Sequence, residues 1–158
     1  MIIAAYAGTG KTTLANNRPH EFTDFVCMPY KYELDSEDSG EAGKANTDNV
    51  MRDEWPYNYV AVIEENMNGE KHLLIPTDPH VLMLLQAKNI PYILCYPKRE
   101  SKEEYRRRFI SRGNTQDFID IFIGRWDNFI DSFEQDDYGK HLILEPDAYL
   151  VDVFGDEI

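Results

Sequence analysis

The residues most able to do chemistry lie near the start of the chain, at positions 4 to 13, which read AAYAGTGKTT. The apolar residues 1 to 3 precede them, so the pattern predicts a strand that runs into a phosphate-binding loop and then into a helix. In such a loop the backbone N–H groups surround the β-phosphate, Lys11 reaches the β and γ oxygens, and the Thr12 hydroxyl ligates Mg²⁺. The following helix points its positive end at the anion. The segment therefore predicts that the chain binds ATP with Mg²⁺.

One position of this loop departs from the full pattern, which has a glycine five residues before Gly10. The chain has Ala5 there. Alanine fits if that backbone position has a negative φ, whereas Gly8 and Gly10 stand where a positive φ or a close approach to phosphate is needed. The alternative is a glycine-rich turn that binds no ligand. The residues expected to contact the nucleotide are Ala7, Gly8, Thr9, Gly10, Lys11, Thr12 and Thr13.

The composition of the chain favours one acidic domain. Its 158 residues suffice for one ordinary domain, and its formal net charge of −13 repels nucleic acid and anionic membranes. We therefore expect no polynucleotide and no membrane as a partner. The lack of a membrane-length apolar run, and a strand pattern that begins at residue 2 without a basic leader, favour the cytoplasm. Cys27 and Cys95 lie in apolar stretches, so we expect free thiols and neither a disulfide nor a metal site.

Basic residues are concentrated in one segment, where seven of the sixteen in the chain fall within fifteen positions. They are Lys98, Arg99, Lys102, Arg106, Arg107, Arg108 and Arg112. A kinase needs a charged lid that excludes water from the transferred phosphoryl group, and residues 98 to 114 could form one. Arg108 and Arg112 are four residues apart, so they share a helix face and could clamp the same phosphates. The alternative is a solvated helix face whose arginines pair with the glutamates at positions 100, 103 and 104.

Five short apolar segments predict buried strands. They are Met1 to Tyr6, Phe22 to Met28, His72 to Ile75, Tyr92 to Tyr96 and His141 to Leu144. Helical patterns separate most of them, which favours a parallel sheet with helices on both faces.

Capping and stop signals predict where the first helices begin and end. One helix begins at Lys11 and is short, because Pro19 prevents its continuation. Asp78 is the expected N-cap of a helix over residues 81 to 88, with Pro79 in the first helical position.

Similar signals follow in the second half of the chain. Residues 101 to 104, Ser-Lys-Glu-Glu, predict a capping box that opens the arginine-rich helix, and Gly113 is its expected stop. Thr115 is the expected cap of a longer helix. Its apolar stripe, expected in the core, is Phe118, Phe122, Trp126, Phe129, Ile130 and Phe133.

Residues 29 to 68 form an insert between the second and third strands. Within it, residues 33 to 46 predict an exposed loop, and Pro56 is expected to begin a helix. Aromatic rings with one cation suit a planar base and its sugar or phosphate. The residues concerned are Tyr30, Lys31, Tyr32, Trp55 and Tyr59. The alternative is a small satellite hydrophobic cluster.

The acceptor is expected beyond the carboxyl ends of the second and third strands, at the switch point of the sheet. Asp24 lies in the second strand and Asp78 follows the third. Either carboxylate could hold Mg²⁺ through water or orient an acceptor hydroxyl. The alternatives are a capping role for Asp78 and an ordinary surface carboxylate for Asp24.

These motifs resemble those of the small P-loop nucleoside and nucleotide kinase superfamily, of which adenylate kinase is a familiar member, and more closely a set of short kinase-like proteins of bacteria and their phages. The matching pieces are residues 4–13, Asp24 with residues 30–32, and residues 55–60, 96–108 and 112–114. The resemblance implies a three-layer α/β/α P-loop fold, with a parallel sheet of order 2-3-1-4-5 and a helical lid above the acceptor. It also implies that Asp147 and Ala148, after the fifth strand, lie against adenine.

Together the residues and the resemblance predict an ATP- and Mg²⁺-dependent phosphotransferase that acts on a small acceptor, a nucleoside or a nucleoside monophosphate. Lys11, Arg108 and Arg112 are the expected catalytic residues, and Thr12 is the expected metal ligand. The residues expected to bind the acceptor are Asp24, Tyr30, Lys31, Trp55, Tyr59 and Asp78. Two alternatives stay open: a nucleotide-binding regulatory or assembly protein with weak NTPase activity, and a kinase of a metabolite that is not a nucleotide.

Overall fold

Five short strands form a single sheet in the computed structural model, which describes residues 1–33 and 50–155. They are β1 (Ile2–Ala5), β2 (Phe22–Asp24), β3 (His72–Ile75), β4 (Ile93–Pro97) and β5 (Lys140–Leu144). Their order across the sheet is β2-β3-β1-β4-β5, and every pairing is parallel. The predicted α/β class, the parallel sheet and its order are therefore confirmed.

Eight helices surround the sheet within the described ranges. They are α1 (Lys11–Asn17), α2 (Met28–Lys31), α3 (Tyr57–Asn66), α4 (Pro79–Ala87), α5 (Lys102–Ser111), α6 (Gln116–Phe122), α7 (Trp126–Gln135) and α8 (Leu150–Phe154). None of these helices is long and apolar enough to cross a membrane.

The sheet separates two hydrophobic clusters, because successive side chains of a strand point to opposite faces. Ile2 and Ala4 of β1 pack on one face with buried residues of α3, α4, α5, α6 and α7. Ile3 and Ala5 pack on the other face with residues of α1 and α8. Helices thus cover both faces, and the loop that leaves the carboxyl end of β1 emerges between the two layers.

Several predicted helix signals are confirmed. The Asp78 carboxylate accepts hydrogen bonds from the backbone N–H groups of His80 (2.9 Å) and Val81 (3.4 Å) at the start of α4. The Thr115 hydroxyl accepts one from the N–H of Phe118 (3.2 Å) at the start of α6. Gly113 has a φ of 75° just after α5, the left-handed conformation that ends helices.

The second strand is shorter than predicted. It ends at Asp24 rather than at residue 28, although the N–H of Phe25 still donates to the Leu74 carbonyl (2.9 Å). Helix α2 begins at Met28 with Pro29 in its first turn. Proline has no N–H to donate to a sheet and is well placed at the start of a helix, so the chain turns away from the sheet here.

The long helix predicted after Thr115 is two helices, α6 and α7, separated by residues 123 to 125. A Cβ atom added to Gly124 would collide with the Asp120 carbonyl oxygen, so only glycine permits this tight turn. The predicted apolar stripe nevertheless lies in the core. Its fully or partly buried members are Phe118, Phe122, Trp126, Phe129, Ile130 and Phe133.

The capping box predicted at the start of α5 is not formed. A 3₁₀ turn, Arg99–Ser101, leads into the helix, and Ser101 has φ −82° and ψ 3°. An N-cap residue needs an extended backbone for its hydroxyl to reach the third helical N–H, and Ser101 lacks it. Its buried hydroxyl has no hydrogen-bond partner in the described part of the chain.

The insert is described only in part. The loop predicted over residues 33 to 46 lies outside the described residues except for Glu33. Tyr32 and Met51 form an isolated antiparallel bridge, and α3 follows Pro56 as predicted.

Phe109→Ala tests whether α5 is part of the core. Phe109 is fully buried, and truncation of a buried phenylalanine typically costs about 3–5 kcal/mol. We expect a loss of that size in the free energy of unfolding, measured by urea denaturation. The neighbouring Ile110 is 61% exposed, so Ile110→Ala is the matched control, with an expected change below about 0.5 kcal/mol. Equal, small effects of both substitutions would show that α5 is not docked.

Candidate functional site

The glycine-rich loop, residues 6–10, turns sharply after β1. Gly8 has a φ of 83° and Gly10 a φ of 95°, so both occupy the left-handed region that favours glycine, as predicted. Ala5 lies in β1 without a positive φ, which explains why alanine is tolerated there. The Tyr6 carbonyl accepts hydrogen bonds from the Thr9 hydroxyl (2.7 Å) and the Thr9 N–H (3.3 Å), and these close the turn.

Two neighbouring segments hold this loop in place. A Cβ atom on Gly8 would lie 2.9 Å from the ring of Phe109 in α5, and one on Gly10 would lie 3.2 Å from the ring of Tyr149. The Leu150 N–H donates to the Thr9 carbonyl (2.9 Å). The loop is therefore packed between α5 and the segment that follows β5.

Lys11 extends its side chain back across the loop. Its ammonium group donates to the carbonyls of Ala5 (2.9 Å) and Tyr6 (3.4 Å). Burial lowers the pKa of Lys11 from 10.5 to about 8; the Asp24 carboxylate opposes this shift, and the Arg112 charge adds to it. The lysine is thus a partly buried cation held against the carbonyls at the start of the glycine-rich loop.

The structure brings Thr12 and Asp24 together although they are twelve residues apart. The Thr12 hydroxyl donates to the Asp24 carboxylate (2.7 Å) at the carboxyl end of β2. Hydroxyl and carboxylate oxygens suit Mg²⁺, which keeps several waters and takes only one or two protein ligands. No group of three or more histidine, cysteine, aspartate or glutamate residues that could hold a metal occurs among residues 1–33 and 50–155.

The Arg108 side chain is buried against the glycine-rich loop. Its guanidinium donates to the carbonyls of Gly8 (2.9 Å), Pro146 (3.2 Å) and Ala148 (3.2 Å). It also pairs with Glu104 (3.3 Å), and the side chain is only 4% exposed. Arg108 and Arg112 were predicted to share a helix face, but their surroundings differ. The Arg108 guanidinium binds protein carbonyls in the interior.

Arg112 is exposed at the end of α5, and its charge contributes to lowering the pKa of Lys11. Its guanidinium carbon lies 5.9 Å from the centre of the Phe109 ring. Of the two arginines in the predicted clamp, Arg112 is thus the one whose charge influences Lys11.

Most other basic residues of this segment form surface ion pairs. Arg106 pairs with Glu103, and Arg107 pairs with Glu104. Further pairs join Arg99 to Asp127, Asp131 and Glu134, and Lys98 to Glu145. The alternative interpretation, a helix face paired with glutamates, therefore applies to Arg106 and Arg107.

The turn after β5 adjoins the glycine-rich loop, as the predicted adenine contact requires. Asp147 is exposed and Ala148 is half-buried. The Ala148 N–H donates to the Glu145 carbonyl (3.0 Å), and the Ala148 carbonyl accepts from Arg108.

On the acceptor side, Lys31 and Asp78 form an ion pair with a distance of 3.0 Å. The Lys31 ammonium also lies 5.6 Å from the ring centres of Tyr32 and Trp55. Cys27 lies close enough to be influenced by Lys31, Asp78 and Lys11, although burial dominates and raises the pKa of its thiol to about 11. The Cys27 thiol is therefore neutral at neutral pH.

The insert aromatics contribute more to the core than to an open site. Tyr59 is fully buried, stacks on Phe25 with 4.4 Å between ring centres, and donates its hydroxyl hydrogen to the Phe25 carbonyl. Trp55 is 7% exposed and contacts the Tyr59 ring. Both belong to the main hydrophobic cluster, so the expected satellite cluster is continuous with the core. Tyr30 is only partly buried and packs against the same rings.

Tyr149 is a residue of the site that the sequence did not single out. Its ring lies 3.7 Å from the guanidinium carbon of Arg108 and covers Gly10. No periodicity or motif marks it, since the contact joins segments forty residues apart. The sequence offered one signal only. Tyr149 comes shortly after the last strand, and the glycine-rich loop comes directly after the first strand.

Comparison with protein-family models finds no matching family, and comparison with curated proteins finds no match. The chemistry of the site is therefore inferred from its own residues.

The lowered pKa of Lys11 can be measured directly. Side-chain NMR should show this lysine titrating near pH 8 in the free protein. Because the folded value lies below the unfolded value of 10.5, the unfolded chain binds more protons between these pH values. The Lys11 contribution to the free energy of unfolding should then rise with pH from about 8 to 10.5.

Lys11→Met removes that contribution, so wild type should gain stability relative to Lys11→Met between pH 7 and pH 10. Lys71→Met, at an exposed lysine, is the matched control. A Lys11 signal that titrates with the bulk of the lysines would contradict the proposed burial of its ammonium group.

Arg108→Met tests the structural role of the buried guanidinium. The substitution keeps the aliphatic part of the side chain but leaves one buried and two partly buried carbonyls without their donor, which should lower the free energy of unfolding by at least about 2 kcal/mol. Arg107 is 75% exposed, and Arg107→Met should change stability by less than about 1 kcal/mol. If Arg108→Met and Arg107→Met lowered the free energy of unfolding of the ligand-free protein equally, the Arg108 contacts would not hold the loop.

Proposed function

We propose that this protein is an ATP- and Mg²⁺-dependent phosphotransferase with a small-molecule acceptor, of the nucleoside or nucleoside monophosphate class. One observation carries the proposal: a loop with left-handed glycines at positions 8 and 10 leads into a helix whose first two residues, Lys11 and Thr12, lie beside the carboxylate Asp24. Backbone donors, a lysine, a hydroxyl and a carboxylate are the groups that phosphoryl transfer uses.

In this proposal the glycine-rich loop and residues 11 to 13 hold the triphosphate. The Lys11 ammonium now bonds the carbonyls of Ala5 and Tyr6, and those oxygens are poor competitors for it once anionic phosphate oxygens are present. Phosphate binding also favours the protonated form of Lys11. The residue therefore neutralises charge on the transferred group.

Mg²⁺ would be held by the Thr12 hydroxyl, with Asp24 binding through a water molecule. When bound, the ion would neutralise phosphate charge and polarise the phosphorus–oxygen bonds. The hydrogen bond between Thr12 and Asp24 already orients both oxygen donors toward the same place.

The two arginines take separate roles. Arg112 is proposed to contact the phosphates from the exposed end of α5, because its charge already reaches Lys11. Arg108 is a positioning residue that connects the loop to the turn at residues 146 to 148, where the adenine would lie with Asp147 and Ala148 beside it. This arrangement revises the initial expectation of a paired clamp.

The proposal is tested by ATP titration calorimetry and by acceptor-dependent ADP release over a panel of nucleosides, nucleoside monophosphates and sugars. We expect ATP binding that requires Lys11, and ADP release that rises with at least one acceptor. Lys11→Ala should lower kcat/KM by at least about 100-fold, while the free energy of unfolding should not fall by more than about 1 kcal/mol below that of wild type.

Arg112→Ala should lower kcat while largely preserving ATP affinity, since its contact matters most in the transition state. ADP release that no acceptor stimulates would instead favour a weak NTPase in a regulatory or assembly protein. Turnover with sugars alone would favour a kinase of a metabolite that is not a nucleotide. Absence of ATP binding would refute the proposal.

A further inference from the structure

We infer that Arg18 is a positioning residue for the nucleotide: it holds the end of helix α8, and α8 in turn fixes the glycine-rich loop at Thr9 and Gly10. The inference rests on the proposed function, and it names a residue outside the loop on which ATP affinity depends. Contacts at both ends of this short helix carry it.

Arg18 is the C-cap residue of α1, at the opposite end of that helix from the loop. Its Nη1 group donates to the carbonyl of Phe154 (3.3 Å) and to the carbonyl of Gly155. These carbonyls lie at the C-terminal end of α8, where a helix lacks internal partners and its dipole favours a cation. The guanidinium carbon also lies 5.2 Å from the centre of the Phe22 ring, which packs against Phe154. Arg18 thus ties the end of α8 to the end of α1.

The first residues of α8 meet the glycine-rich loop. The Tyr149 ring covers Gly10, where an added Cβ atom would lie 3.2 Å from the ring. The Tyr149 N–H donates to the Asp152 carboxylate (2.8 Å), which fixes the tyrosine at the start of the helix. The Leu150 N–H donates to the Thr9 carbonyl (2.9 Å). Helices α1 and α8 therefore run side by side in the same direction and are tied together at both ends.

The Leu150 hydrogen bond sets the direction of a donor that the phosphates need. In a planar trans peptide such as Thr9–Gly10, the C=O and the following N–H point in opposite directions. The Thr9 carbonyl is directed at Leu150, so the Gly10 N–H is directed away from α8. Backbone N–H groups of this loop are the proposed phosphate donors. Displacement of α8 would allow this peptide to rotate and would misdirect the Gly10 N–H.

Helix α8 needs such a tie because it is too short to be stable by itself. It has five residues, whereas isolated helices shorter than about 12 residues are marginal in water. Leu150 is fully buried, but Val151 and Phe154 are only partly buried, and Val153 is 44% exposed. The apolar surface that anchors the helix is therefore small, and the Arg18 bonds hold the end that lies farthest from Leu150.

Release of Arg18 should weaken ATP binding more than it slows turnover. If the loop is ordered in only a fraction of the free molecules, the apparent dissociation constant rises by the inverse of that fraction. We expect Arg18→Met to raise the Kd and the KM of ATP about tenfold in this way. At saturating ATP the ligand itself orders the loop, so kcat and the KM of the acceptor should change by less than about twofold.

ATP titration calorimetry on the full chain compares Arg18→Met with three further variants. Arg18→Lys should stay within about threefold of the wild-type Kd, because both bonds come from one nitrogen and an ammonium group has three donors. Arg18→Gln is too short to reach the carbonyls and is the second loss variant if Arg18→Met does not fold. Glu21→Gln is the matched control, since it removes the ion pair with Arg18 and leaves the bonds to α8; its Kd should change by less than about twofold.

Amide hydrogen exchange tests the tie without any ligand. The Leu150 N–H is bonded to Thr9 at the end of α8 opposite to Arg18, so in Arg18→Met its exchange should accelerate at least about tenfold. The N–H of the fully buried Tyr6 donates to the Cys95 carbonyl (3.0 Å) in the middle of the sheet and reports global opening. We expect acceleration at Leu150 that exceeds any acceleration at Tyr6.

The outcomes separate this inference from the proposed function. Wild-type ATP affinity in both loss variants would overturn the role of Arg18 and leave the phosphotransferase proposal standing. Equal acceleration of exchange at Leu150 and Tyr6 would also overturn it, because Arg18 would then act on global stability alone. Absence of ATP binding by the wild-type chain would refute the proposed function, and the role of Arg18 in nucleotide affinity with it.

Discussion

The position of the glycine-rich loop depends on one buried cation. A guanidinium taken out of water is stable only when its donors are satisfied, and Arg108 satisfies them with carbonyls from Gly8, Pro146 and Ala148. These carbonyls belong to segments more than 130 residues apart in sequence, so one side chain of α5 fixes both. The rings of Tyr105 and Tyr149 enclose the same guanidinium. The loop, the turn after β5 and α5 therefore form one packed unit.

Around this unit the charges are sorted by sign, although the chain as a whole has a net charge of −13. Lys11 and Arg112 lie close enough together that Arg112 contributes to lowering the pKa of Lys11, a cost that a bound anion would relieve. Carboxylates dominate the neighbouring side, at Asp24 and Asp78. The net negative charge of the chain as a whole repels polyanions. Positive charge therefore lies at the glycine-rich loop, with Asp24 and the Lys31–Asp78 pair beside it.

Sequence reasoning succeeded where structure depends on neighbouring residues. The Asp78 cap, the left-handed glycines 8 and 10, and the short helix before Pro19 follow from local backbone chemistry, and the hydrophobic pattern predicted all five strands. It failed where a residue's role is decided by what packs against it. The spacing of Arg108 and Arg112 predicted a shared helix face, but it could not show that the protein's own carbonyls bind the Arg108 guanidinium. The break at Gly124 likewise depends on contact with the preceding turn, which a periodic stripe conceals.

The close approach of Phe109 and Tyr105 to Gly8 has a kinetic consequence. A helix whose buried rings rest on the loop cannot swing outward as a rigid body without exposing them to water, so the body of α5 is a fixed wall. The residues just after α5 are tied to it as well, since the N–H of the buried Asn114 donates to the Phe109 carbonyl. If the site turns over as proposed, any opening for nucleotide exchange has to come from elements other than the body of α5.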